Sequence, residues 1–105
     1  MYKMLRQKIT ASRFKRHDLG IIENIPADVF QQIIDKHIAE GWEISGSFHQ
    51  FDWTKRWEVK LRKGTSELQM QWYPALQGNM VGLRRIMTGV AKQFSLTVLT
   101  CPSRQ

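Results

Sequence analysis

Between Trp42 and Tyr73, apolar and polar residues alternate with a period of two in three successive stretches. In Trp42–Phe51 one face reads Trp42, Ile44, Gly46, Phe48 and the other Glu43, Ser45, Ser47, His49. In Lys55–Lys63 the apolar face is Trp57, Val59, Leu61, and in Ser66–Tyr73 it is Leu68, Met70, Trp72. Successive side chains of a strand point to opposite faces, so each stretch predicts an antiparallel strand covered on one side only. Gly64–Thr65 suits a two-residue hairpin with Gly at the first turn position. That turn sets Leu61 opposite Leu68, Val59 opposite Met70 and Trp57 opposite Trp72. A loop over Phe51–Thr54 sets Phe48 opposite Trp57, Gly46 opposite Val59 and Ile44 opposite Leu61. A slip of one residue would turn every apolar side chain outward, so the parity is well determined.

On either side of these strands the spacing changes to three and four. Pro26, then Asp28 in a first turn, then Val29, Phe30, Ile33, Ile34 and Ile38 predict a helix that Gly41 ends. His37 falls on or beside its stripe, as a boundary residue with its polar edge in water. Tyr73–Pro74 closes the third strand, PALQG reads as a loop, and Asn79 reads as the N-cap of a second helix. Its stripe is Met80, Leu83, Met87, Val90, Ala91 and Phe94, with Arg85 and Lys92 pointing away. Gly82 and Gly89 would weaken that helix by about 1 kcal/mol each relative to Ala, so packing must hold it. Leu19–Ile25 and Leu96–Cys101 are candidate extra strands at the two ends, and residues 1–16 fit either a strand or an amphipathic helix. The expected fold is of the α+β class: a two-layer α/β sandwich with an α-β-β-β-α core, its antiparallel sheet carrying both helices on one face. The other sheet face is left uncovered.

From roughly Pro26 to Phe94 this element order resembles that of double-stranded-RNA-binding domains. The likeness is one of topology. That family opens its second helix with a lysine cluster, where this chain has Asn79-Met80-Val81-Gly82, with Arg84 and Arg85 only later. Its first strand–strand loop is longer and carries a Gly-Pro-x-His-like element, where this chain has Phe51-Asp52-Trp53-Thr54. No residue roles carry over.

Charge changes the picture because it is unevenly placed. The formal charge of the 105 residues is +7. Residues 1–17 hold Lys3, Arg6, Lys8, Arg13, Lys15 and Arg16 with no acid, which is +6; residues 18–105 hold ten Lys and Arg against nine Asp and Glu, 10 − 9 = +1. This divides the chain into a basic N-terminal arm, 1–17, and a single near-neutral domain, 18–105. A segregated basic arm is a footprint of nucleic-acid or anionic-surface binding, and equally fits a solubilising tail. On the open sheet face the pairing lines up Glu43, Arg62 and Glu67, then Ser45, Lys60 and Gln69, then Ser47, Glu58 and Gln71. The first rung, one arginine between two glutamates, cancels charge rather than collecting it. At the other end of the face His49, Arg56, Tyr73 and Phe51 converge, with Trp53 and Lys55 at the hairpin tip. Rings beside arginine suit stacking of single-stranded bases, at about 1–3 kcal/mol per ring, or a protein hot spot. Against both stands a Trp53 that folds back over the end of the core.

Few further function classes have support. There is no H-x-x-x-H, C-x-x-C, G-x-x-x-x-G-K or G-x-S-x-G, so no metal site, cofactor or catalytic residue is expected. Glu58, between Arg56 and Lys60, reads as an ion-pair partner rather than a base for His49. The single cysteine, Cys101, fits a reducing compartment, and neither a signal peptide nor a membrane span is apparent, so a cytoplasmic location is expected. The reading is a non-catalytic domain binding nucleic acid (RNA or DNA) or a nucleoprotein through the arm, aided by His49, Phe51, Trp53, Lys55, Arg56 and Tyr73. The alternative is a protein-interaction module (adaptor, inhibitor or homodimer subunit) using the uncovered sheet face.

Overall fold

A computed structural model describes residues 18–46 and 50–100. The elements, in chain order, are β1 (Leu19–Ile25), α1 (Ala27–Ala39), β2 (Glu43–Gly46), β3 (Trp57–Lys63), β4 (Ser66–Tyr73), β5 (Gln77–Leu83) and α2 (Arg84–Phe94). The strands make one antiparallel sheet of five, ordered β1-β5-β4-β3-β2, and the fold is α+β. The described residues fall into two compact units, one within 23–80 and the other of residues 18–22 with 81–100.

In the 23–80 unit the hairpin registers agree with the alternation. Trp57 pairs with Trp72, Val59 with Met70 and Leu61 with Leu68 across β3 and β4. Ile44 pairs with Leu61 and Gly46 with Val59 across β2 and β3. The inward residues of β3 and β4 are buried together with Phe30, Ile33 and Ile34 of α1. Phe30 centres this packing, its ring 5.6 Å from that of Trp57 and 5.9 Å from that of Trp72. At the end of α1 Gly41 takes φ +96, a left-handed conformation natural to glycine, and the Trp42 backbone N–H donates to the His37 carbonyl at 3.0 Å. Trp42 therefore precedes β2 rather than opening it, and sets its ring edge-on to His37 at 5.2 Å. His37 is buried, not a boundary residue: it is only 4% exposed, and its Nδ1 donates to the Ile33 carbonyl at 2.7 Å.

The expected second helix begins four residues too early. Gln77–Leu83, which includes Asn79 and Met80, is the strand β5, and α2 starts at Arg84. Pro74 occupies the second position of a turn closed by the Leu76 N–H donating to the Tyr73 carbonyl at 2.9 Å. Left-handed Gln77 (φ +69) then leads the chain back along β4. Along β5, buried Gly78, Met80 and Gly82 alternate with the less buried Asn79, Val81 and Leu83. Glycine is required at 78, since a Cβ there would lie 2.5 Å from Phe30 Cδ1. The fourth meander strand also removes the likeness in element order to double-stranded-RNA-binding domains.

In the other unit, Met87, Val90 and Ala91 of α2 are buried, as are Ile21 and Ile22 of β1. Gly20 lies against Val98 and Met87, with no room for a side chain. Ile21 and Leu99 exchange both backbone hydrogen bonds, at 2.9 and 2.8 Å. The C-terminal extra strand is thus reduced to a single bridge among the described residues. Helix α2 has no side-chain N-cap, and it ends at left-handed Ser95 with the Leu96 N–H bonded to the Ala91 carbonyl.

Candidate functional site

The β2–β3 connection carries most of the expected site residues, and its shape follows from one aspartate. Asp52 Oδ1 accepts from the Thr54 N–H at 3.2 Å and from Thr54 Oγ1 at 2.6 Å, while the Asp52 carbonyl accepts from the Lys55 N–H at 3.0 Å. An aspartate that bonds the backbone two residues on is a standard turn former. Trp53 sits inside this turn, and its side chain goes inward. Its ring lies 4.8 Å from that of Trp72, 5.4 Å from Trp57, 5.9 Å from Phe51 and 6.4 Å from Phe30. The Trp72 indole N–H donates to the Trp53 carbonyl at 2.9 Å, tying backbone and ring to the same wall. Trp53 is therefore a half-buried cover over the core, not an open stacking platform at a hairpin tip. Phe51 belongs to the same cluster, edge-on to Trp57 at 5.9 Å.

Three of the expected residues remain at the surface. Lys55 and Arg56 are exposed, and the Arg56 guanidinium stands 4.9 Å above the centre of the half-buried Tyr73 ring. Contacts of this geometry at exposed sites contribute about 0.5–1 kcal/mol. The Tyr73 hydroxyl donates to Gln71 Oε1 at 3.2 Å, and Gln71 Nε2 donates to Glu58 Oε2 at 3.1 Å. Glu58 is thus linked through Gln71 to Tyr73 in a polar chain over the open face. His49 and the arm residues Lys3, Arg6, Lys8, Arg13, Lys15 and Arg16 lie outside the described residues.

Elsewhere on the open face the register matches the expected Glu43–Arg62–Glu67 and Ser45–Lys60–Gln69 rungs, while Ser47, Phe48 and His49 of the next pairings lie outside the described residues. Arg62 stands opposite both Glu43 and Glu67, and its Nη2 bridges to Glu67 Oε1 at 3.2 Å. Arg56, Lys60 and Arg62 balance Glu43, Glu58 and Glu67, so this face has no net charge. At the end of α1, Lys36 donates to the Glu40 carboxylate at 2.7 Å, and that hydrogen bond holds the Glu40 carboxyl below its ordinary range. Lys63 Nζ donates to the Glu40 carbonyl at 2.7 Å. Arg84, in the other unit, sends Nε and Nη2 to Asp18 Oδ1 at 3.0 and 2.6 Å, a pair that pattern reading missed. The two lie 66 residues apart, and no local spacing signals their meeting.

Among the described residues no group of three or more His, Cys, Asp or Glu side chains is placed to hold a metal ion, and no helix is long and apolar enough to cross a membrane. Comparison with protein-family models, curated proteins and solved structures finds no match to the chain.

Proposed function

We propose that this chain is a small non-catalytic domain that binds nucleic acid, RNA or DNA, alone or within a nucleoprotein, with its basic N-terminal arm supplying the attraction. The observation that carries this reading is the charge split: +6 in residues 1–17 and +1 in the remainder. The balanced open face supports it, because a sheet that neutralises its own cations leaves the arm as the concentrated source of field. Exposed Lys55, outside that balance, adds one cation at the end of the sheet. On this reading Phe51 and Trp53 act as cover for the core rather than as a free stacking surface. The location in which this takes place is taken to be the cytoplasm, because a single cysteine fits a reducing compartment.

Fluorescence anisotropy with short RNA and DNA single strands across a salt series tests the proposal. Six phosphate contacts on a single strand predict log K falling with log salt at a slope of about −4, at about 0.7 per contact. Deleting residues 2–16 removes all six cations and should flatten that slope and abolish most of the affinity. Binding that is absent, or indifferent to salt, would refute it. That outcome would move the weight to a protein-interaction module, for which β2 offers an edge strand with Glu43, Ser45 and Gly46 exposed.

A further inference from the structure

Two features where the β2–β3 loop meets β3 are unfavourable on their own. Phe51 holds φ +67, a left-handed conformation that a bulky side chain rarely adopts. Trp57, 2% exposed, has an indole N–H with no hydrogen-bond partner among the described residues. Buried indole N–H groups ordinarily find an acceptor. The two features are in contact: the Phe51 ring lies 5.9 Å from that of Trp57, and Trp53 adjoins both, at 5.9 and 5.4 Å. A strained residue whose ring packs edge-on to the indole that carries an orphaned donor fits a site occupied by the protein's own side chain.

We propose that the Phe51 ring fills a subsite for one unstacked pyrimidine base of a single strand. The base takes that ring's place against Trp53 and Trp57 and accepts the Trp57 N–H through a ring carbonyl. This rests on the nucleic-acid reading above and names what the sheet end would recognise. Size selects the pyrimidine, because moving one phenyl ring frees room for one six-membered ring and not for a fused purine. Chemistry selects a base over a plain hydrocarbon, because every pyrimidine base carries a carbonyl acceptor and the orphaned donor needs one. The Phe51 ring packs against two indoles, Trp53 and Trp57, and stacking on such rings contributes at every base. Exposed Lys55 and Arg56, adjacent to the loop, suit the flanking phosphates.

The test uses the full chain with labelled dT10 and dA10, read by anisotropy and by the indole region of the 1H–15N spectrum. The expected result is tighter binding of dT10 by about tenfold, the scale of one stacked base, with the Trp57 indole proton moving downfield for dT10 alone. Phe51→Gly keeps the left-handed backbone without strain and empties the subsite, so it should raise dT10 affinity several-fold. Trp57→Phe keeps a ring but deletes the N–H, and should erase the preference. Equal affinity for the two strands, or a preference unchanged in both variants, overturns the subsite. Should Trp57→Phe fail to fold, the unmodified chain's indole resonance decides: no movement with dT10 overturns it. Thymidine 5′-monophosphate binding as tightly as dT10 also overturns it, because the occupant would then be a free nucleotide. Equal but steeply salt-dependent binding of dT10 and dA10 leaves the nucleic-acid reading standing, whereas no binding of either removes both.

Discussion

Gly78→Ala isolates the contact that sets β5 against α1. The added Cβ would sit 2.5, 2.8 and 2.9 Å from Cδ1, Cε1 and Cγ of Phe30, closer than carbon atoms approach. The ring has no room to retreat: Phe30 is fully buried, and Trp57, Trp72 and Trp53 stand at 5.6, 5.9 and 6.4 Å on its other sides. Overpacking of a filled core costs about 1–3 kcal/mol. Gly78 is not left-handed, so alanine also restricts the unfolded chain and returns about 0.4–1 kcal/mol. The net expectation is a loss of about 1–2 kcal/mol, or a fall in Tm of about 4–10 °C for a domain of this size. Gly89→Ala is the matched control, since no atom lies within 4 Å of its added Cβ and the residue is exposed in mid-helix. It should stabilise by about 0.5–1 kcal/mol. Urea unfolding followed by tryptophan fluorescence and circular dichroism reads both. Adding Phe30→Leu to Gly78→Ala should cost less than the sum of the single changes, because the second relieves the clash made by the first. A Gly78→Ala protein as stable as the unmodified chain, or additive behaviour in the double variant, would refute the assignment of Gly78 to a packed strand.

Other contacts make their own predictions. Trp72→Phe removes the donor to the Trp53 carbonyl and part of a buried ring. It should destabilise by about 1–3 kcal/mol and speed trypsin cleavage after Lys55 and Arg56, whereas an unchanged cleavage rate would show that the bond does not hold the loop. Glu40 should titrate below an ordinary glutamate, because the Lys36 hydrogen bond favours its charged form. A carboxyl lowered in the folded state contributes stability above its unfolded pKa and loses it as pH falls through the folded value. Its exposure to solvent keeps that contribution small. In carboxyl 13C titration Lys36→Met should bring the Glu40 midpoint back up, and a midpoint indifferent to Lys36 would remove the assignment.

How far the fold can be read in the residues depends on what each inward position carries. The β3–β4 register is legible because Trp57, Val59, Leu61, Leu68, Met70 and Trp72 are all large and apolar, and a two-residue turn leaves little freedom between them. The same parity places Arg62 beside Glu67, so the neutral character of the open face follows from the strands alone. Strand β5 hides because two of its inward positions are Gly78 and Gly82, which a count of apolar side chains passes over. Met80 and Leu83, three residues apart, then join with Met87 and Val90 into a false helical stripe. The Asp52 turn is visible as local chemistry. The direction of the Trp53 ring is not, because it depends on the room beside Phe30 and Trp72, which no neighbouring residue reports.

The inward turn of Trp53 and the late start of α2 bear together on where any polyanion would be held. Were Asn79 the N-cap, Arg84 and Arg85 would lie in the second turn of a longer helix. Instead they begin α2, where cations oppose the helix dipole, and the two bonds from Arg84 to Asp18 neutralise one of them. Lys36, Arg62 and Lys63 are likewise engaged by Glu40 or Glu67, and Arg56 lies over Tyr73. Lys55 lies in the β2–β3 loop and Lys60 on β3, while Arg85 and Lys92 are both on α2. With nine acids against ten Lys and Arg, residues 18–105 project little net field beyond a Debye length of about 8–10 Å. Long-range attraction then falls to the six cations of residues 1–17. Loss of that arm should therefore slow association as well as weaken the complex, while changes in the Phe51–Trp57 cluster should act on dissociation and on base preference.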